Sequence, residues 1–318
     1  MMVVLTGGTG GAKFVAGLRQ VVSPGDLTLI VNTGDDLRWW GLHVSPDLDS
    51  ITYALSGLLS KDRGWGFDGD TFCCLERMRV LGAPGWFQLG DCDLATHLRR
   101  TQLLSEGKSL SQATAELASV MAIESAILPM TDDPVETRVL TDAGELSFQE
   151  YFVRERYRVP VRGVRVSGAE RARPAPGVIA AIRSASAIFL APSNPVTSIG
   201  PILAVPGIRQ ALREADAPVV AISPIVGGAA VSGPAGEMMR LEGFPVSFVG
   251  VAEIYSDFLD LLIADRADAT ISEADASTIP VHFTQTIMRS EEDKAALARF
   301  AIAALSSLHP PLSVPQAG

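Results

Sequence analysis

The chain has 318 residues, 47% of them hydrophobic, which is enough to bury one large core or two ordinary ones. Only 19% are charged and the net charge is −10. That composition excludes a disordered chain and argues against non-specific nucleic-acid binding, which needs clustered lysines and arginines to displace counterions. An anionic ligand would have to be met locally, by helix N-termini, a few basic side chains or a metal. Cys73, Cys74 and Cys92 offer neither a disulfide framework nor zinc-ligand spacing. No apolar stretch reaches membrane-spanning length, and residues 1–6 lack the basic flank of a signal peptide, so the expectation is a soluble, cytoplasmic protein.

In chain order, Met1 to Thr6 (MMVVLT) reads as a buried parallel strand, followed by a glycine cluster and a helix from Ala12 to Val21. Leu27 to Asn32 is a second strand, so the chain opens as a βαβ unit. Residues 50–60, 71–81, 93–106 and 109–122 are helical in period, with loops rich in Gly, Asp and Trp between them. Residues 138–142 and 145–152 predict a hairpin around Asp142-Ala143-Gly144. Strands are expected at 187–191, 218–223 and 245–249. Helices are expected at 176–184, 207–214, 233–242, 252–260 and 287–307. With no internal repeat and no linker, the expectation is an α/β protein. It is one Rossmann-like, doubly wound, mostly parallel sheet over residues 1–318, with a mostly helical insertion over about 50–160.

In such a sheet ligands bind beyond the carboxyl ends of the strands, so motifs that follow strands carry the interest. Gly7-Gly8-Thr9-Gly10-Gly11-Ala12-Lys13 follows the first strand. Its glycines let amides approach a phosphate while the next helix aims its positive end there. No Gly-Lys-Ser/Thr closes it and its spacing is not Gly-x-Gly-x-x-Gly, so neither a P-loop nor a nicotinamide site is favoured. Asn32-Thr33-Gly34-Asp35-Asp36 closes the second strand, and Asp47 and Asp49 follow. An oxygen-rich set of this kind suits a hard divalent ion, with Asp36, Asp47 and Asp49 as the candidate ligands. Two residues apart, Asp47 and Asp49 share a cavity only if their segment is extended; the plain alternative makes Asp49 a helix N-cap.

Asp93, Thr96, His97 and Arg100 share one helical face, which is either solvated or lines a site. Trp65, Phe67, Trp86 and Phe87 crowd nearby as a pocket for a flat ring or a local core. Pro129 to Pro134 reads as an acidic turn held by its own hydrogen bonds. Pro192 to Pro201 follows a strand, offers hydroxyls and an amide, and holds too much proline for a helix. Its preset shape suits reading a base or ribose, with Ser223 to Gly228 as its neighbour.

Nine segments in register resemble the 2-phospholactate transferase family. They are GGTGGAKF (7–14), NTGDD (32–36), SPDLDS (45–50), WGFDGDTF (65–72), LGDCDLATH (89–97), PMTDDPVET (129–137), PSNPVTSIGPI (192–202), SPIVGG (223–228) and VSGPAGEMM (231–239). The resemblance implies transfer of a phosphoryl-linked three-carbon acid from a guanosine diphosphate conjugate to the primary hydroxyl of the deazariboflavin Fo. GMP leaves, Mg²⁺ is required, and the protein is a homodimer in biosynthesis of coenzyme F-420. It places the nucleotide on Gly7, Gly8, Thr9, Gly10, Gly11, Lys13, Asn32, Ser193, Asn194, Ser198 and Gly200. Asp49 and Gln88 fall at the deazaflavin pocket, with Asp91, His97 and Arg100 on the same side. In that setting Asp36, Asp47 and Asp49 hold Mg²⁺ or orient the acceptor hydroxyl, and Lys13 or Arg100 stabilises the transferred phosphoryl group. The donor acid stays open between lactyl, enolpyruvyl and glyceryl. The rival of another class is a non-catalytic sugar-nucleotide-binding regulator of the same fold.

Overall fold

The computed structural model describes residues 1–269 and 278–308. Its centre is a seven-stranded sheet of β1 (Met2–Thr6), β2 (Leu27–Val31), β3 (Ala126–Pro129), β4 (Ala187–Leu190), β5 (Val219–Ile222), β6 (Leu261–Asp265) and β7 (Val281–Thr284). Their order is β7-β6-β5-β4-β1-β2-β3, and every neighbouring pair is parallel. The chain therefore walks outward from β1 to β3, returns to place β4 beside β1, and walks out the other way. The gap between the ends of β1 and β4 is the switch point where this architecture binds ligands.

The strands from β1 to β6 are mostly apolar because both faces are covered, whereas β7 at the sheet edge (VHFT) is only half-buried. The helices are α1 (Gly8–Leu18), α2 (Pro46–Ser56), α3 (Cys73–Val80), α4 (Asp91–Ser105), α5 (Leu110–Val120), α6 (Val178–Ser184), α7 (Gly200–Ala204), α8 (Ile208–Arg213), α9 (Ala235–Leu241), α10 (Phe248–Ile254) and α11 (Glu291–Ala304). Val3 and Leu5 point into one layer with side chains of α6, α7, α8 and α10, while Val4, Leu29 and Val31 meet α1, α2 and α11 on the other. Side chains alternate along each strand, so one strand feeds both cores.

Several expectations need correction. The first helix starts at Gly8, not Ala12, so most of the glycine cluster is helical; a Cβ at Gly10 would collide with the Pro192 carbonyl oxygen, and one at Gly11 with Thr6 Oγ1. Residues 245–249 are not a strand: Ser247 Oγ accepts from Gly250 N and starts α10, whose last residue is Ile254. The strands of that half are β6 and β7. Pro195 to Ile199 is a π-helical turn, because proline at its first position needs no amide partner and Asn194 Oδ1 accepts from Val196 N. The stretch from 50 to 160 is divided, since β3 within it belongs to the central sheet. Before β3 come the hairpin Leu37–Trp39/Leu42–Val44 and α2 to α5. After β3 comes an antiparallel sheet of Gly144–Ser147, Glu136–Thr141 and Val161–Ser167.

Candidate active site

A cleft of 840 Å³ opens over the ends of β1, β4 and β5. The glycine turn, α2 and the Ser193–Ser198 segment form its floor. Trp65, Trp86 and Phe87 close one side, Phe148 and Phe152 another, and Thr286 to Arg289 a third.

On the floor, side chains lace the turn to its neighbours. Ser193 Oγ donates to the Gly7 carbonyl at 2.7 Å, and Asp47 Oδ1 accepts from the Gly8 amide at 2.7 Å. Asn32 Nδ2 donates to Asp47 Oδ2 at 3.0 Å, while Asn32 Oδ1 accepts from Gly34 N at 2.8 Å. Asp47 and Asp49 both border the cleft although their segment is helical, because they sit in the first turn of α2 and Leu48 between them is buried. Asp49 is therefore no N-cap; Ser45 holds that position.

The carboxylates here are short of cations. Burial pushes the Asp47 carboxyl up to about 6 against the Asn32 and Gly8 hydrogen bonds. Burial and then the charge of Asp47 hold Asp35 well above the usual carboxylate range, and Asp35 Oδ1 is buried without a hydrogen-bond partner. Two close buried carboxyls with one bare oxygen suit a hard cation, which would relieve both burial and repulsion. Asp36 is turned away: its Oδ2 accepts from Ser45 Oγ at 2.7 Å and lies 3.0 Å from His43 Nε2, beside a separate surface depression. Asp36, Asp47 and Asp49 are therefore not gathered around one point; Asp35, the other member of the pair, borders the cleft instead.

On the opposite wall Asp49 has a cation of its own. Both oxygens of Asp49 accept from Arg100, Oδ2 from Nη1 at 3.1 Å and Oδ1 from Nη2. Burial, the largest single influence, would lower the guanidinium pKa, but the charge and hydrogen bonds of Asp49, with the charges of Tyr53 and Asp36, together raise it. His97 Nδ1 lies 3.5 Å from Asp49, His97 Nε2 lies 3.4 Å from Asp93, and Tyr53 Oη donates to Asp93 Oδ1 at 2.7 Å. The polar stripe of α4 thus faces inward, with Asp93, Thr96, His97 and Arg100 all buried. Asp49, Asp93 and His97 are also a trio close enough to hold an ion, found among the described residues. The Arg100 fork already satisfies Asp49 and would repel a cation there.

Other expected residues fall as follows. Thr9, Lys13, Gln88, Asn194 and Ser198 border the cleft. Gly11, Asn32, Arg100 and Gly200 stand behind it and shape it. Asp91 lies outside, where it accepts from Cys73 N and Cys74 N and caps α3. The acidic turn makes one bond of its own, Asp133 N to Thr131 Oγ1, but its carboxylates tie it to other segments: Asp132 accepts from Ser111 N and Asp133 from Arg173 N. Sequence reasoning missed Phe148, Phe152, Arg156, Arg289 and Lys294, all on the rim. Arg289 and Lys294 follow β7, so reading that strand would have found them by the rule that served for the glycine turn.

A switch-point cleft with a phosphate-sized amide turn, unbalanced carboxylates and two aromatic walls fits a small-molecule enzyme of the doubly wound class. The profile of 2-phospho-L-lactate transferase CofD matches residues 2–300. The chain is 45% identical to a phosphoenolpyruvate transferase of Streptomyces griseus over 95% of this chain and 97% of that one. It is 41% identical to a 2-phospho-L-lactate transferase of Methanosarcina mazei over 95% of this chain and all of the relative. A crystal structure of a UPF0052 family protein from Bacillus halodurans superposes with a TM-score of 0.64 at 15% identity, over 95% of this chain and 98% of that one, and shares the fold. The chain belongs to the CofD 2-phospho-L-lactate transferase family and is a transferase. No described helix is long and apolar enough to cross a membrane.

Proposed function

We propose that this protein moves a phospholactyl or phosphoenolpyruvyl group from a guanosine diphosphate conjugate to the primary hydroxyl of Fo in coenzyme F-420 biosynthesis. The acceptor oxygen attacks the phosphorus that bears the three-carbon acid, the phosphoanhydride bond to it breaks, and GMP leaves with the bridging oxygen. The observation that carries this reading is one cleft with a glycine turn and cation-poor carboxylates on one wall and Asp49 among aromatic side chains on the other.

In this reading the amides of Thr9 and Gly10 in the first turn of α1, with Lys13, receive the phosphates. Ser193, Asn194 and Ser198 border the nucleotide, with Asn32 and Gly200 acting through the floor they build. The Gly8 amide is already held by Asp47, so an incoming diphosphate meets a carboxylate at the turn. Asp47 and Asp35 would hold Mg²⁺, which when bound neutralises charge on the phosphate oxygens. Asp49 accepts the proton of the acceptor hydroxyl, while Gln88, Trp65 and His97 border the deazaflavin. A cytoplasmic homodimer completes the proposal.

The test is mass spectrometry of the product formed from Fo with each guanylylated three-carbon acid and Mg²⁺. One phosphodiester of Fo, with stoichiometric GMP, is the expected result. Tight sugar-nucleotide binding with no product from any donor would instead favour the regulator.

A further inference from the structure

Two buried groups on the acceptor wall have no part in the transfer as proposed: Tyr53 and Asp93. Tyr53 lies one turn beyond Asp49 on α2, and Asp93 one turn before His97 on α4. Tyr53 Oη donates to Asp93 Oδ1 at 2.7 Å, and His97 Nε2 faces the same oxygen at 3.4 Å. At the other end Arg100 Nη1 stands 3.3 Å from His97 Nδ1 and grips Asp49 with both terminal nitrogens. A guanidinium has only donors, so a His97 Nδ1 that accepts from it leaves the ring proton on Nε2, which faces Asp93 without closing a hydrogen bond. The polar groups thus run from α2 to α4 and back to α2, from Tyr53 through Asp93, His97 and Arg100 to Asp49.

This arrangement decides between two uses of the Asp49, Asp93 and His97 trio. An ion there would lie against Arg100 and compete for oxygens the guanidinium already occupies. The same contacts make a good clasp. His97 is 1% exposed and Arg100 2%, so neither spends its bonds on solvent. Burial, with Asp49 and Asp93 nearby, also holds the Tyr53 hydroxyl well above its usual range, so it stays a donor. The clasp fixes α2, which carries Asp47 toward the donor and Asp49 toward the acceptor, against α4.

We infer that Tyr53 and Asp93 are positioning residues, which act through His97 and Arg100 to hold the Asp49 carboxylate in line with the acceptor hydroxyl. The inference rests on the acceptor role proposed for Asp49. Neither Tyr53 nor Asp93 needs to touch substrate for it. Misplacement of a reacting group by about 1 Å costs on the order of 100-fold in rate, so a clasp of this kind has a large effect available to it.

The test is a double-mutant cycle on the full-length enzyme with Mg²⁺, Fo and the guanylylated donor, using Tyr53→Phe, Asp93→Asn and the pair. Each single variant is expected to lower kcat about 10-fold with KM for both substrates within about 2-fold, and the pair to be no worse than the poorer single, because the groups act as one unit. Tyr53→Phe keeps the buried ring, so it reports even if Asp93→Asn folds poorly. Nitrogen-15 spectra of the four histidines give a readout apart from turnover: His97 as the Nε2–H tautomer in the wild type, and a loss of that preference in Asp93→Asn. Unchanged kcat, multiplying effects in the pair, or an Nδ1–H tautomer in the wild type would overturn the clasp while the substrate reading stood. An Nε2–H wild type that transfers nothing to Fo from any donor would overturn the substrate reading, and the clasp with it.

Discussion

The two walls of the cleft are built from the same residue type and reach opposite electrostatic states. On the donor wall Asp35 and Asp47 are buried with amides and an amide side chain for company, and their carboxyl pKa values are driven up. On the acceptor wall, two residues along α2, Asp49 is locked to Arg100 with both oxygens. Burying a carboxylate is costly unless it is paired. Where the protein supplies the pair, the carboxylate is part of a fixed frame. Where it does not, the charge is left for something that binds. In the proposed reading the metal would therefore fall to Asp35 and Asp47 and the acceptor proton to Asp49.

Substitutions can break that comparison. The largest effect belongs to Asp49→Asn, for which transfer to Fo should fall by ~10²–10⁴-fold, the usual worth of a general base, as read by GMP release. The paired wall also makes this variant structurally risky, since it leaves Arg100 buried beside a neutral amide, so melting temperature should be followed alongside.

Next is Gly10→Ala. Its Cβ would meet the Pro192 carbonyl, a backbone atom with little room to give. A loss of about 1–3 kcal/mol in denaturant unfolding is expected, with weaker GDP binding because α1 and the Ser193 segment must part.

The pH dependence sharpens the donor wall further. Asp47 rises from 3.8 to about 6 in the folded chain. A raised carboxyl binds its proton more tightly in the folded state, so metal-free stability is highest below the unfolded value and falls as pH rises through about 6. A shift of this size corresponds to roughly 3 kcal/mol. Melting temperature measured without metal should therefore drop between about pH 4 and 6, and Asp47→Asn should flatten that slope. A metal-free curve that rose across this range would contradict the burial argument.

Asp91→Ala should do least. It removes the cap of α3, so a small drop in melting temperature is expected, and should leave kcat and both KM values unchanged because the side chain lies outside the cleft.

Much of this was legible in the chain itself, for reasons that differ by residue. β1 and β2 announced themselves as short apolar runs, and the glycines after β1 marked the switch point. The resemblance placed Asp49 near the acceptor. The choice between Asp35 and Asp36 was not legible, because both lie in the turn after β2 and only the hairpin at 37–44 decides that Asp36 meets His43 and Ser45. The inward turn of the α4 stripe was equally hidden: a polar face looks the same whether it meets water or a buried aspartate. The 245–249 run misled because its apolar β-branched residues outweighed a single serine cap, and β6 and β7 were lost with it. Rim residues Arg289 and Lys294 went unnoticed for that reason.

The most direct test of the central claim is calorimetric binding of GDP with and without Mg²⁺ to the wild type, Asp47→Asn and Asp49→Asn. The wild type should gain affinity for GDP from Mg²⁺, Asp49→Asn should keep that gain while losing transfer to Fo, and Asp47→Asn should lose the gain. Loss of the Mg²⁺ effect in Asp49→Asn together with its retention in Asp47→Asn would contradict the account, because it would put the metal on the wall that Arg100 already balances.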